Sequence, residues 1–117
     1  GGFKMKIVEV KRWNSTGNEF MEQLEKRKID YKIVFDNLKV FEAATFGIAG
    51  GKHFKIFDYY KKNGQRVLVA NGGFGAGDYV IEEIYLIEIE ENEEIEKEKI
   101  TELLRSYIKK EEEESRL

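Results

Sequence analysis

Residues 46–77 read FGIAGGKHFKIFDYYKKNGQRVLVANGGFGAG, and the fold follows from how this stretch is read. Two runs rich in β-branched and aromatic residues flank Asn63-Gly64, a dipeptide that accepts the two positive-φ positions of a type I′ turn. The stretch therefore predicts a β-hairpin with a two-residue turn. That register sets Lys61 opposite Arg66, Tyr60 opposite Val67, Tyr59 opposite Leu68 and Phe57 opposite Ala70. Alternation then separates two faces. One carries Phe54, Ile56, Tyr60, Val67 and Val69, with Asp58 as its one charge, and reads as core. The other carries His53, Lys55, Phe57, Tyr59, Lys61, Arg66 and Leu68, so that cations alternate with rings. A groove that neutralises phosphates while offering rings to bases has this composition, and a ring–base contact is worth roughly 1–3 kcal/mol whatever the base.

Working outward, Asp30 to Thr45 predicts a second hairpin turned at Asp36-Asn37. It would pair Phe35 with Leu38, Ile33 with Val40 and Tyr31 with Glu42 on an apolar face, leaving Lys32, Lys39, Val34 and Phe41 on the other. Both hairpins would then present basic, ring-bearing surfaces on one side of a single antiparallel sheet. A one-residue change in turn length would undo that agreement. Taken singly, each of Trp13, Phe41, Phe57 and Tyr59 fits a core role, and lysine stems also lie along apolar sheet surface. The nucleic-acid reading rests on the set.

Lys4 to Arg12 alternates weakly as a strand, with Val8 and Val10 on one face and Ile7 on the other. Thr16 and Glu19 have capping-box spacing and predict a helix from about Gly17 to Lys28, its stripe of Phe20, Met21 and Leu24 lying on the sheet. Asp78 to Glu90 reads as a strand with both faces partly buried. After Asn92 the pattern turns helical, with Ile95, Ile100, Leu103, Leu104, Tyr107 and Ile108 on one stripe between charged flanks. That stripe packs on the sheet or zips against a second copy, and a homo-oligomer is expected. The expected fold is α+β: a small antiparallel sheet of two or more hairpins with one short helix and a long acidic C-terminal helix. Residues 1–91 would form the nucleic-acid-binding core and 92–117 an appended packing or oligomerisation helix.

The net charge of −3 averages two unlike segments. Residues 1–77 hold 14 Lys/Arg against 8 Asp/Glu, net +6, and residues 78–117 hold 6 against 15, net −9. Only the first segment suits a polyanion. The Lys and Glu abundance suits a hyperthermophile. Without cysteine there is neither a disulfide framework nor a thiolate metal site. No apolar run reaches the roughly 20 residues of a membrane-spanning helix, and no secretory signal pattern is evident, so a cytoplasmic protein without membrane partners is expected.

Two glycine clusters, Gly47 to Gly51 and Gly72 to Gly77, flank the central hairpin. Neither matches a phosphate-binding loop, because His53 stands where Ser or Thr would follow Lys52. They serve turns and bulges, or act as lips that bring Phe46 and Phe74 onto a ligand. His53 is the only histidine and has no Ser or Cys nucleophile motif to serve, so neither catalysis nor a cofactor is expected.

With these residues laid out, the chain resembles the archaeal ThermoDBP single-stranded-DNA-binding proteins and their relatives. The likeness is carried by Thr45-Phe46-Gly47-Ile48-Ala49-Gly50-Gly51-Lys52-His53-Phe54, the basic-aromatic strands around it and the acidic C-terminal helix. The resemblance implies a groove that takes single-stranded DNA without strong sequence preference, protecting exposed strands in replication or repair, and assembly through the C-terminal helix. Matching positions are Phe41, Phe57 and Tyr59 for the floor and Lys32, Lys39, Lys52, Lys55, Lys61 and Arg66 for the walls. The alternatives are RNA binding, which no motif here distinguishes, and a protein-assembly module acting through the C-terminal helix.

Overall fold

The computed structural model describes residues 4–42 and 51–115, with Ala76 described by its backbone alone. In chain order the elements are β1 (Lys6–Ser15), α1 (Glu19–Lys26), β2 (Tyr31–Phe41), β3 (Lys52–Tyr60), β4 (Arg66–Ala76), β5 (Tyr79–Glu88) and α2 (Lys97–Ser115). The five strands form one antiparallel sheet in the order β1-β5-β4-β3-β2, with the two helices packed on opposite faces. The fold is α+β. No described helix is long and apolar enough to cross a membrane.

The β3–β4 turn has three residues, not two. Gly64 N–H donates to the Lys61 carbonyl at 2.9 Å and Lys61 N–H to the Gln65 carbonyl at 2.9 Å, with Gly64 at φ +85°. Asn63 Oδ1 accepts the Gln65 N–H at 2.9 Å, so the asparagine serves the turn with its side chain and the glycine alone takes the left-handed backbone. Tyr60 accordingly pairs with Arg66, Tyr59 with Val67 and Phe57 with Val69. This one-residue change moves every β4 side chain to the face opposite the expected one. Val67 and Val69 join Phe57 and Tyr59, Leu68 and Ala70 join Phe54 and Ile56, and Arg66 reaches Asp58.

The second hairpin does not form. Asp36 and Asn37 lie inside β2, which runs unbroken from Tyr31 to Phe41 and pairs with β3. Three bulges interrupt that pairing, between Ile33 and Phe35, Phe35 and Leu38, and Lys39 and Phe41. Each inserts a residue and reverses the alternation. Phe35, Leu38 and Phe41, spaced three apart, thereby all face the side carrying Ile56, Phe54 and Lys52. A further bulge in β1 turns Val8 outward and leaves Ile7 and Val10 on one face, opposite Ile87 and Tyr85, where alternation had separated them.

α1 starts at Glu19, later than the Thr16 box implies, and its first turn is capped from β5. Glu82, 1% exposed, accepts the N–H groups of Glu19 at 2.9 Å and Phe20 at 3.0 Å. It also accepts the Ser15 hydroxyl at 2.6 Å and the Asn71 side-chain amide at 3.1 Å. A carboxylate there both satisfies orphan donors and meets the positive end of the helix dipole. Glu82→Gln turns an amide N–H toward these donors and is expected to cost about 1–3 kcal/mol. The readout is the midpoint of chemical denaturation, and an unchanged midpoint would discount the cap.

The apolar stripe of α2 closes the other face. Ile100, Leu104 and Ile108 are buried with Phe54, Ile56, Leu68, Ala70, Tyr85 and Ile87, and Ile95, Leu103 and Tyr107 pack against the same cluster. The residues expected to zip against a second copy are thus occupied within the chain. Of the two roles expected for this segment, packing and oligomerisation, Ile95 to Ile108 take the first. Arg105 of α2 also donates to the Val40 carbonyl at 3.1 and 3.2 Å, which covers part of the β2 edge.

Candidate nucleic-acid interface

The rings expected to floor a groove are packed inside. Phe57 is 0% exposed, with its ring edge-on to Phe20 of α1 at 5.4 Å and to Tyr31 at 5.5 Å between centroids. Phe41 is 8% exposed and belongs to the α2-side core. Neither can take a base. For Phe57 the physical reason is that the amphipathic α1 needs an apolar surface, and β3 supplies it with residues that read as a stacking platform; Phe41 is instead turned into the α2-side core by the bulges of β2. Tyr59 is half-buried beside Val67 and Val69, and burial holds its phenol above the ordinary tyrosine range.

The expected cationic wall is divided between the two faces. Lys39, His53 and Lys55 lie on the α1 side: Lys39 Nζ is 2.7 Å from Glu42, His53 Nδ1 is 3.0 Å from Asn37 Oδ1, and Lys55 Nζ is 3.5 Å from Asp36. Lys32, Lys52, Arg66 and Phe74 fall on the α2 side. Arg66 forks onto both Asp58 oxygens at 3.0 and 3.1 Å and donates to the carbonyls of Glu90, Glu91 and Glu93. Its guanidinium pKa is raised, chiefly by the Asp58 hydrogen bond. This arginine holds the β5–α2 connection against the sheet and is committed. Phe46 lies outside the described residues.

Lys52 is committed too. Its Nζ stands 2.8 Å from Oε1 of the fully buried Glu83, as an ion pair without hydrogen-bond alignment, and sits 5.5 Å from the Phe74 ring centroid. Arg12 completes the cluster, with Nε donating to Glu83 at 3.0 Å and Nη2 to the Tyr85 hydroxyl and to Glu111, each at 2.9 Å. This network ties β1, β3 and β5 to the last turns of α2. Among the described residues no His, Asp or Glu cluster could hold a metal ion.

A different cleft gathers uncommitted cations. It lies at one end of the sheet, between the α1–β2 connection and the β3–β4 turn, with a volume of about 800 Å³. Arg27, Lys28, Ile29 and Asp30 form one wall, Lys61 and Lys62 the other, with Tyr59 and Tyr60 between. Among the described residues none of these four cations is in an ion pair. Tyr60 is 50% exposed and its hydroxyl donates to Glu91 at 2.9 Å. That bond first, and burial second, hold the phenol above its ordinary range.

The first wall is built by the end of α1. Ile29 N–H donates to the Leu24 carbonyl at 3.0 Å and Lys28 N–H to that of Glu25 at 3.1 Å, a Schellman closure with Lys28 in its left-handed position at φ 55°. No protein-family model, curated protein or solved structure matches this chain. The cleft is therefore judged on its geometry. Of the residues expected to bind, it includes Tyr59 and Lys61; Arg27, Lys28, Tyr60 and Lys62 were missed. The sequence offers one partial signal: no Gly or Asn follows the helix end predicted at Lys28, so a left-handed closure there falls to a residue with a Cβ.

Proposed function

We propose that this chain binds single-stranded nucleic acid in the cleft between the α1–β2 connection and the β3–β4 turn, with little regard to base sequence. The observation that carries the reading is the meeting in one cleft of two tyrosines with four cations that make no ion pair among the described residues, while Lys39, Lys52, Lys55 and Arg66 are held by carboxylates. A cation already paired must give up its partner to take a phosphate, whereas Arg27, Lys28, Lys61 and Lys62 need not. The half-exposed Tyr60 ring offers a surface for one base, and a base is free to stack only when it is outside a duplex. The ligand class is the one the resemblance implied, but the location differs, at the sheet's end instead of the sheet face, because Phe41 and Phe57 are buried.

The test is an anisotropy titration of a labelled single-stranded DNA, its RNA equivalent and a duplex of equal length at several salt concentrations. Each neutralised phosphate on a single strand contributes about 0.7 to the slope of log affinity against log salt. The double variant Lys61→Gln, Lys62→Gln is therefore expected to bind more weakly and to flatten that slope by about 1.4. A duplex bound as tightly as the single strand, or a double variant with the parent's slope, overturns the reading. The RNA arm decides which sugar is preferred.

A further inference from the structure

We propose that Lys28 grips a phosphate of the strand bound in this cleft, and that its left-handed backbone is a destabilising conformation retained for that contact. The inference rests on the nucleic-acid reading of the cleft and names the residue that grips the phosphodiester. Among the described non-glycine residues, Lys28 alone has positive φ, at 55°. It occupies the position after the α1 cap where glycine is the usual residue, because glycine has no Cβ to press against the carbonyl. The closure itself does not call for a lysine: its two hydrogen bonds, from Lys28 N–H and Ile29 N–H, are made by backbone alone.

The side chain therefore has to account for the residue, and within the described chain it supports nothing else. Lys28 is exposed, makes no ion pair among the described residues and lines the cleft. Its surroundings suit a phosphate: Arg27 adjoins it in sequence, and Lys61 and Lys62 stand across the cleft. The reversal of chain direction at Lys28 also carries the backbone from α1 into Asp30 and β2, so the residue that turns the chain presents its cation at the rim. Backbone strain at a ligand-facing position is where a fold retains a conformation that packing alone would not select.

The experiment compares the parent protein with Lys28→Gly, Lys28→Arg and the Lys61→Gln, Lys62→Gln variant, using fluorescein-labelled oligothymidylate and thermal melting. Lys28→Gly removes strain and charge together: Tm is expected to rise by about 4 °C and affinity to fall about tenfold. Lys28→Arg keeps both properties and is expected to match the parent in Tm and to bind within about twofold. If Lys28→Gly binds like the parent while the Lys61, Lys62 variant is weakened, the cleft reading stands and this inference falls. If Lys28→Gly melts lower than the parent, the strain argument falls. If the parent does not bind the oligonucleotide at low salt, the nucleic-acid reading itself fails.

Discussion

A chain cut after Asn92 is expected to show no cooperative unfolding transition. The cut removes Ile100, Leu104 and Ile108, all buried, together with the flanking Leu103 and Tyr107. Three fully buried aliphatic side chains contribute about 1.5–3 kcal/mol each, which is comparable to the 5–15 kcal/mol that separates a folded domain from its unfolded chain. Their loss also opens Phe54, Ile56, Leu68, Ala70, Tyr85 and Ile87 to water. Near-UV circular dichroism and thermal melting of the truncated chain provide the check. A sharp transition in the truncated protein would show that the sheet folds without α2, and would return residues 92–117 to the role of a separable assembly helix.

Phe57→Ala is expected to destabilise the protein by about 3–5 kcal/mol, because it removes a fully buried ring from between Phe20 and Tyr31. Any loss of nucleic-acid binding in this variant would then report unfolding, not a missing stacking contact. Tyr60→Ala is the informative partner experiment. Tyr60 is half-exposed, so its removal is expected to change stability by less than about 1 kcal/mol while weakening single-strand binding by a stacking contact. Urea denaturation separates the two variants. A Phe57→Ala protein with the parent's midpoint and reduced affinity would restore the sheet face as the binding surface.

The two variants mark how far the candidate site was legible. That rings and lysines alternate along residues 53–61 is a property of the chain and stands in the structure. What alternation could not show is whether a helix lies over that face. The helix predicted from Thr16 and its stripe at Phe20 and Leu24 was correctly expected to lie on the sheet, and the surface it covers is the one that carries Phe57. One expectation came from the helical period of α1 and the other from the two-residue alternation of β3, and only one of them could hold the face.

The cations divide for a similar reason. Pairing of Lys52 with Glu83 joins residues far apart in sequence, and Arg66 finds the carbonyls of Glu90, Glu91 and Glu93 only because β5 returns beside β4. A lysine's availability depends on where the carboxylates arrive. Among the described residues Arg27, Lys28, Lys61 and Lys62 are in no ion pair; they stand on the two connections at the sheet's end, where Asp30 lines the same cleft and Glu91 is taken by the Tyr60 hydroxyl.

The amino-acid sequence by itself determined the α+β class, the two helical segments, a strand on each side of Asn63-Gly64 and one within residues 78–90, and the apolar stripe that α2 buries. These are local matters of hydrophobic period and turn chemistry, and neighbours in the chain decide them. That β4 runs on through Gly72, Gly73 and Gly75 to pair with β5, where a flanking glycine lip was expected, was not legible. Tertiary structure decided which way the strands face. The side-chain period of a strand is two, so one added residue at Lys62-Asn63-Gly64 and three bulges in β2 reassigned whole faces at little local cost, and the packing of α1 and α2 selected that register.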